Sequence, residues 1–214
     1  SGTLEAKGID ESGGQIETSG ADLDINGIKI DTSSVTGRYG NWLVDPTNLT
    51  IDSSAAATYA TNLKTSDVTL TADNTITLSS NLAYTGDRDS TLTFNATTTV
   101  LNANITSANG SLSLDINTAL QIGASNTVIT TKGGNVDING QITATAASKN
   151  LTINAGAGNV TFSSAVTGAS TTTTTTTVGS SGWLRQRYSG YFGVVNGNSD
   201  RLNFFNRSAQ SSQN

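Results

Sequence analysis

The chain has 214 residues, of which 35% are hydrophobic and 13% charged, with a formal net charge of −5 and no Cys, His or Met. Without Cys there is no disulfide scaffold, thiol nucleophile or cysteine zinc site, and without His the commonest general base and metal ligand are missing, along with the Ser-His-Asp arrangement. No apolar run approaches the roughly 18 residues that span a bilayer, so membrane insertion is not expected.

The chain opens Ser1-Gly2-Thr3-Leu4, with neither Met nor a signal-peptide pattern, and reads as a processed product or a piece of something longer. From there the recurring signal is apolar-x-apolar, closed by small polar residues or Gly. It runs Leu23-x-Ile25, Ile28-x-Ile30, Leu49-x-Ile51, Val68-x-Leu70, Ile76-x-Leu78 and Leu92-x-Phe94. It continues as Leu112-x-Leu114-x-Ile116, Leu120-x-Ile122, Val136-x-Ile138, Leu151-x-Ile153 and Val160-x-Phe162. Alternation with period two predicts short strands with one buried face. No apolar set at helical spacing holds for three turns, so the chain is predicted to be all-β.

The strand starts Leu49, Val68, Leu92, Leu112, Val136 and Leu151 recur at intervals of 15 to 24 residues, and "DINGIKI" (24–30) is echoed by "DINGQIT" (137–143). Such recurrence marks a solenoid, whose units bury their apolar face only by stacking on neighbours. The expected fold is a parallel β-helix over residues 1–170. At roughly 20 residues per coil it would have about nine coils and a length of about 40 Å. Asn, Ser and Thr would stack in hydrogen-bonded ladders at its corners.

Two stretches are more specific. "GGQIETSG" (13–20) and "GNWLVDP" (40–46) resemble a junction in the large exoproteins of two-partner secretion, the filamentous-haemagglutinin-like adhesins of Gram-negative bacteria. The residues that carry the resemblance are Gly14, Glu17, Thr18, Ser19, Gly20, Trp42, Asp45 and Pro46. It implies a right-handed parallel β-helix, export through an outer-membrane secretion pore, extracellular or cell-surface display, and adhesion to a host or matrix glycan or protein receptor in place of catalysis. The amino-terminal secretion domain that should precede this region in the family is absent from the sequence. No cofactor is implied.

The remaining motifs read as structure first. Asp22-x-Asp24-x-Asn26-Gly27 matches half of a calcium loop, but Ser33 stands where a bidentate Glu is needed, so a strand-to-turn junction is expected and no metal. Gly86-Asp87-Arg88-Asp89 is the densest charge cluster in the body. It would serve an acid–base enzyme only with a second cluster in register, and it reads as an exposed loop with a weak surface ion pair. Trp42 is expected to pack in the core or at a coil corner, and Pro46 to end a strand. Seven Asn-x-Ser/Thr sites (Asn48, Asn95, Asn104, Asn109, Asn150, Asn159, Asn206) suit a chain rich in Asn and Thr, and glycosylation there is a further reading.

The end of the chain changes character. Residues 171–182 are a Thr/Gly/Ser connector, and residues 183–214 are basic and aromatic, holding six of the twelve aromatic residues. Residues 1–182 carry seven basic groups against fifteen acids (−8), and residues 183–214 carry four Arg against Asp200 (+3). The acidic body does not suit nucleic acid. Trp183, Arg185, Arg187, Tyr188, Tyr191, Phe192, Phe204 and Phe205 are the candidate contact residues, in a strand and a hairpin around Asn196–Asp200. Three readings stand: the tail caps the last coil, begins another module, or binds a neighbouring copy so that the chain self-associates head to tail into a filament. Glycan binding through Trp183, Tyr188 and Tyr191, or a β-helix polysaccharide-degrading enzyme, are the alternatives in other function classes.

Overall fold

The structure, a computed structural model, describes residues 2–146 and 149–164 in full and, beyond them, the backbone of four strands within 173–205. In chain order the first turns hold β1 (Thr3–Glu5), β2 (Gln15–Gly20), β3 (Lys29–Asp31), β4 (Asn41–Pro46), β5 (Leu49–Ile51) and the helix α1 (Ser53–Asn62). Regular turns follow: β6 (Asp67–Thr71), β7 (Thr75–Leu78), β8 (Leu82–Tyr84), β9 (Ser90–Asn95), β10 (Thr98–Leu101) and β11 (Ile105–Ser107). Next come β12 (Leu112–Ile116), β13 (Ala119–Ile122), β14 (Asn126–Thr130), β15 (Val136–Ile138), β16 (Ile142–Ala144), β17 (Asn150–Gly156) and β18 (Val160–Phe162). The chain continues through β19 (Thr173–Val178), β20 (Leu184–Gln186), β21 (Val195–Asn196) and β22 (Arg201–Phe205).

These strands form three parallel faces of a β-solenoid. The first face is the eight-stranded sheet β2-β4-β6-β9-β12-β15-β18-β20, and the second is β5-β7-β10-β13-β16. The third runs from β8 through β11, β14 and β17 to β19, then ends on β22 and β21, which pair antiparallel. The all-β parallel helix expected from the sequence is therefore what forms, in about 7 turns of roughly 24 residues. The turn is longer than 20 residues because the strand starts read from the sequence lie on different faces. Val68, Leu92, Leu112 and Val136 belong to the first face, whereas Leu49 lies on the second and Leu151 on the third.

Alternation fixes what lies inside. β9 and β12 are buried at every second residue, and Leu92, Phe94, Leu112, Leu114 and Ile116 have no exposed surface. Stacked in register, Val68↔Leu92, Leu92↔Leu114 and Leu114↔Val136 form one continuous apolar column along the axis. Each such side chain contributes about 1.5–3 kcal/mol by burial. At the corners Asn117 donates to Asn95 at 2.9 Å and Asn139 to Asn117 at 2.7 Å, the polar ladder the composition predicted. At Gly140 the neighbouring turn comes so close that an added Cβ would lie 1.8 Å from the Thr118 carbonyl oxygen.

α1 is the one helix among the described residues of a chain that is otherwise all-β, as expected. Asp52 caps it, accepting from the Ser54 and Ala55 amides at 2.9 Å each, and an Ala-rich run carries it for ten residues. It sits on the third face between β3 and β8, where a strand would otherwise stack. Its side chains replace the missing ladder. Asn62 accepts the Ile30 amide at 2.7 Å and donates to the Ile28 carbonyl at 3.0 Å, and Thr58 accepts the Gly27 amide at 3.1 Å. The backbone groups of Gly27, Ile28 and Ile30 that face the helix are satisfied although no strand pairs with that side of β3.

Candidate functional site

The family-like residues come together on the first two strands of the first face. β2 and β4 pair in register, Ile16↔Trp42 through Gly20↔Pro46, which sets Thr18 opposite Val44 and Ser19 opposite Asp45. Trp42 is fully buried, its Nε1 donates to Thr18 Oγ1 at 3.0 Å, and its ring lies 5.5 Å from Tyr59 of α1. Trp42 thus packs in the core, one of the two places expected for it, and Pro46 closes β4 opposite Gly20. Glu17, Ser19, Gly20 and Gly14 are exposed, and Asp45 is half-buried.

Of the tail residues, Trp183, Arg187, Tyr188, Tyr191 and Phe192 lie outside the described residues. Arg185, Phe204 and Phe205 are placed by backbone alone: Arg185 opposite Thr161 of β18, and Phe204 and Phe205 opposite Thr174 and Thr173 of β19. The Thr run expected to be a connector contributes β19, which extends the third face beyond β17.

Arg88 is not the cation of a weak exposed pair with its sequence neighbours. Its guanidinium is 2.6 Å from Asp67 Oδ1, one turn back, donates to the Leu63 carbonyl at 3.0 Å, and lies 4.2 Å from the centre of the Tyr39 ring. Asp67 Oδ1 also accepts the Thr91 amide at 3.0 Å. Tyr84 donates to the Arg88 carbonyl and accepts from Ser90, both at 2.9 Å, while burial pushes its phenol above the ordinary value. Asp87 and Asp89 remain exposed, and Ser111 donates to Asp89.

This knot forms one wall of a groove of about 440 Å³ across β2, β4, β6 and β9, lined by Gly13, Gly14, Gln15, Tyr39, Gly40, Asn41, Asp67, Thr91 and Thr93. Its floor is a row of side chains from successive turns: Gln15 pairs with Asn41, Asn41 with Asp67, and Thr91 follows next. Asn41 is held by Thr69, whose Oγ1 donates to its Oδ1 at 3.0 Å. The Gln15 amide, Asn41 Nδ2, and the hydroxyls of Tyr39, Thr91 and Thr93 have no hydrogen-bond partner among the described residues.

Further along the same face, Asp115 and Asp137 stand opposite each other on β12 and β15. Burial, and secondarily the Asp137 charge, raise the Asp115 carboxyl above its ordinary 3.8. The two residues are 22 positions apart, and the sign available in the sequence was the repeated Asp-Ile-Asn at 115–117 and 137–139, which the turn length brings into register. Asp24 accepts the Asn26 amide at 3.0 Å beside Gly27 (φ 69°), a turn in the place of the half-matched calcium loop. Among the described residues no group of three or more Asp or Glu could hold a metal ion, and no helix is long and apolar enough to cross a membrane.

The Asn-x-Ser/Thr sites differ in what their amides do. Asn48 and Asn109 are exposed, with Asn109 donating to the Thr85 carbonyl at 3.1 Å. Asn95, Asn104 and Asn150 have side chains engaged in contacts between turns, and the Asn159 backbone amide donates to Asn135. Asn206 lies outside the described residues. Comparison of the chain with protein-family models, curated proteins and solved structures returns no match.

Proposed function

We propose that this chain is a non-catalytic structural protein of the bacterial exterior, a rigid rod of the filamentous-haemagglutinin-like kind that serves as an adhesin and stacks head to tail. One observation carries the reading. The first face leaves β2 open at one end and β20 at the other among the described residues, and all pairings between them are parallel. A second copy can therefore continue the sheet without reversing strand direction. Charge favours the same joint. Residues 1–40 carry seven acids against three basic groups (−4), and residues 183–214 carry +3. The fully buried apolar columns give such a rod stiffness, and the paired backbone gives it resistance to proteases. The resemblance of 13–20 and 40–46 adds export through an outer-membrane pore and a glycan or protein receptor at the surface.

Electron microscopy and sedimentation of the intact chain over a range of concentrations test the assembly. Rods that lengthen with concentration, and that stay short when Arg185, Arg187 and Arg201 are all changed to Glu (tail charge from +3 to −3), are the expected result. Rods of one constant length for both proteins overturn head-to-tail stacking. Turnover of any saccharide in a panel of acidic and neutral polysaccharides overturns the non-catalytic reading.

A further inference from the structure

We propose that the groove across β2, β4, β6 and β9 binds a neutral, linear oligosaccharide lying along the rod axis. The inference rests on the adhesive half of the function proposed above and names the chemistry of its ligand. Three features of the groove select that chemistry.

The first is its supply of hydrogen-bonding groups. The Gln15 carboxamide, Asn41 Nδ2 and the Tyr39, Thr91 and Thr93 hydroxyls all line it, and none has a partner among the described residues. Together they offer donors and acceptors on neutral side chains, the complement of a polyhydroxylated ligand. The second is charge. The one carboxylate in the lining, Asp67, is already paired with Arg88 at 2.6 Å, so the groove closes its charge internally and favours neither anion nor cation. The third is repeat. Gln15, Asn41, Asp67 and Thr91 come from successive turns in register, spaced by the strand separation of about 4.8 Å. A ligand built of similar units in line meets a similar polar group at each step.

The groove is also pre-arranged, which lowers the ordering cost of binding. Thr69 holds Asn41, Arg88 and the Thr91 amide hold Asp67, and Arg88 lies over the Tyr39 ring. Its volume of about 440 Å³ lies within the range of small-molecule sites, roughly 300–1,000 Å³. Gly13 and Gly40 shape the wall. A Cβ on Gly13 would lie 1.7 Å from the Thr32 carbonyl oxygen, and one on Gly40 1.8 Å from that of Gly14, so the first two turns close up only with glycine at both places.

The test is binding of the intact chain to immobilised cello-, malto-, chito- and lactosamine oligosaccharides, with heparin fragments and sialylated chains as anionic arms. Titration calorimetry then follows each hit. At least one neutral series should bind, and Asn41→Ala, Thr93→Val and Gln15→Ala should each weaken it about tenfold or more. Gln121→Ala, on the second face, should leave it unchanged. Circular dichroism and melting confirm that each variant keeps its fold, and Gln15, exposed on an edge strand, supplies a variant that does not touch the core. Failure of every neutral series to bind overturns the proposal, as does binding that the three groove variants leave intact or binding confined to anionic chains and abolished by salt. Those results leave the rod and its stacking untouched, because microscopy and sedimentation read them separately.

Discussion

From Ser90 to Ile138 every strand has a parallel strand on both sides, whereas in residues 2–66 one face is closed by a helix and β1 and β2 each pair on one side only. The difference shows in burial. β9 alternates between buried and half-buried along its whole length, while β1 is exposed throughout and β2 has no fully buried residue. It shows equally in what supplies the hydrogen bonds. The middle relies on backbone ladders on both sides of every strand, with Asn side chains stacking at the corners. The first turns rely on particular side chains: Asn62, Thr58, and Thr65, which donates to the Ile30 carbonyl at 2.7 Å. A solenoid is thus uniform in energy where it is uniform in neighbours, and specific in sequence where a strand is missing.

Substitutions can separate the two regions. The largest effect is expected for Phe94→Ala. Its side chain is fully buried between turns, and about 3–5 kcal/mol should be lost in a single cooperative unfolding followed by denaturant melts. Two separate transitions would show instead that the regions unfold independently. Asn62→Ala should cost about 2–3 kcal/mol, because it strands the Ile30 amide and Ile28 carbonyl. Hydrogen exchange should speed up at 28–31 and stay slow from β9 to β15. Equal acceleration in both places would erase the distinction. Asp52→Ala removes the helix cap and should cost about 1 kcal/mol, again confined to the first turns.

The smallest effect belongs to the middle and has the opposite sign. Because the Asp115 carboxyl is raised in the folded chain, the native state holds its proton more tightly than the unfolded state does. Stability therefore falls as pH rises from about 3.8 through the raised folded value, and the unfavourable contribution is fully present above it. Asp137→Asn removes the charge part of the cause and leaves burial. The variant should melt slightly higher than the parent at pH 7 and lose that advantage below about pH 3, where Asp115 is protonated in both states. A lower melting temperature at pH 7 would mean that Asp137 holds its turn by some other contact.

Much of the fold was legible residue by residue. Leu92-x-Phe94 and Val136-x-Ile138 announced strands with one buried side, and both pairs point inward with no exposed surface. α1 escaped because ten Ala-rich residues fall short of three helical turns, and its inward polar residues, Thr58 and Asn62, break the apolar periodicity. Asp52 followed by Ser-Ser-Ala-Ala-Ala was the available sign, a cap before a run of strong helix formers. The groove was only half marked: Gly13, Gly14, Gln15, Gly40 and Asn41 lie in the two stretches that stood out in the sequence, but nothing there joined them to Asp67 and Thr91. Gln15, Asn41, Asp67 and Thr91 are separated by 26, 26 and 24 positions, intervals that mean nothing until the turn length is known. Arg88 made the same point, since the Asp87 and Asp89 beside it in the chain are not its partners and Asp67 is.

The sequence by itself determined that the chain is all-β in its bulk and which side of each strand faces inward. Those properties depend on alternation along a few residues, and side chains two apart always share a face. Only the tertiary structure decided which residue lies above which, and with it the Arg88 knot, the Asp115–Asp137 pair and the polar row of the groove. Stacking order depends on the summed length of three strands and three corners. No local pattern encodes that sum, yet it places every outward side chain beside its neighbours.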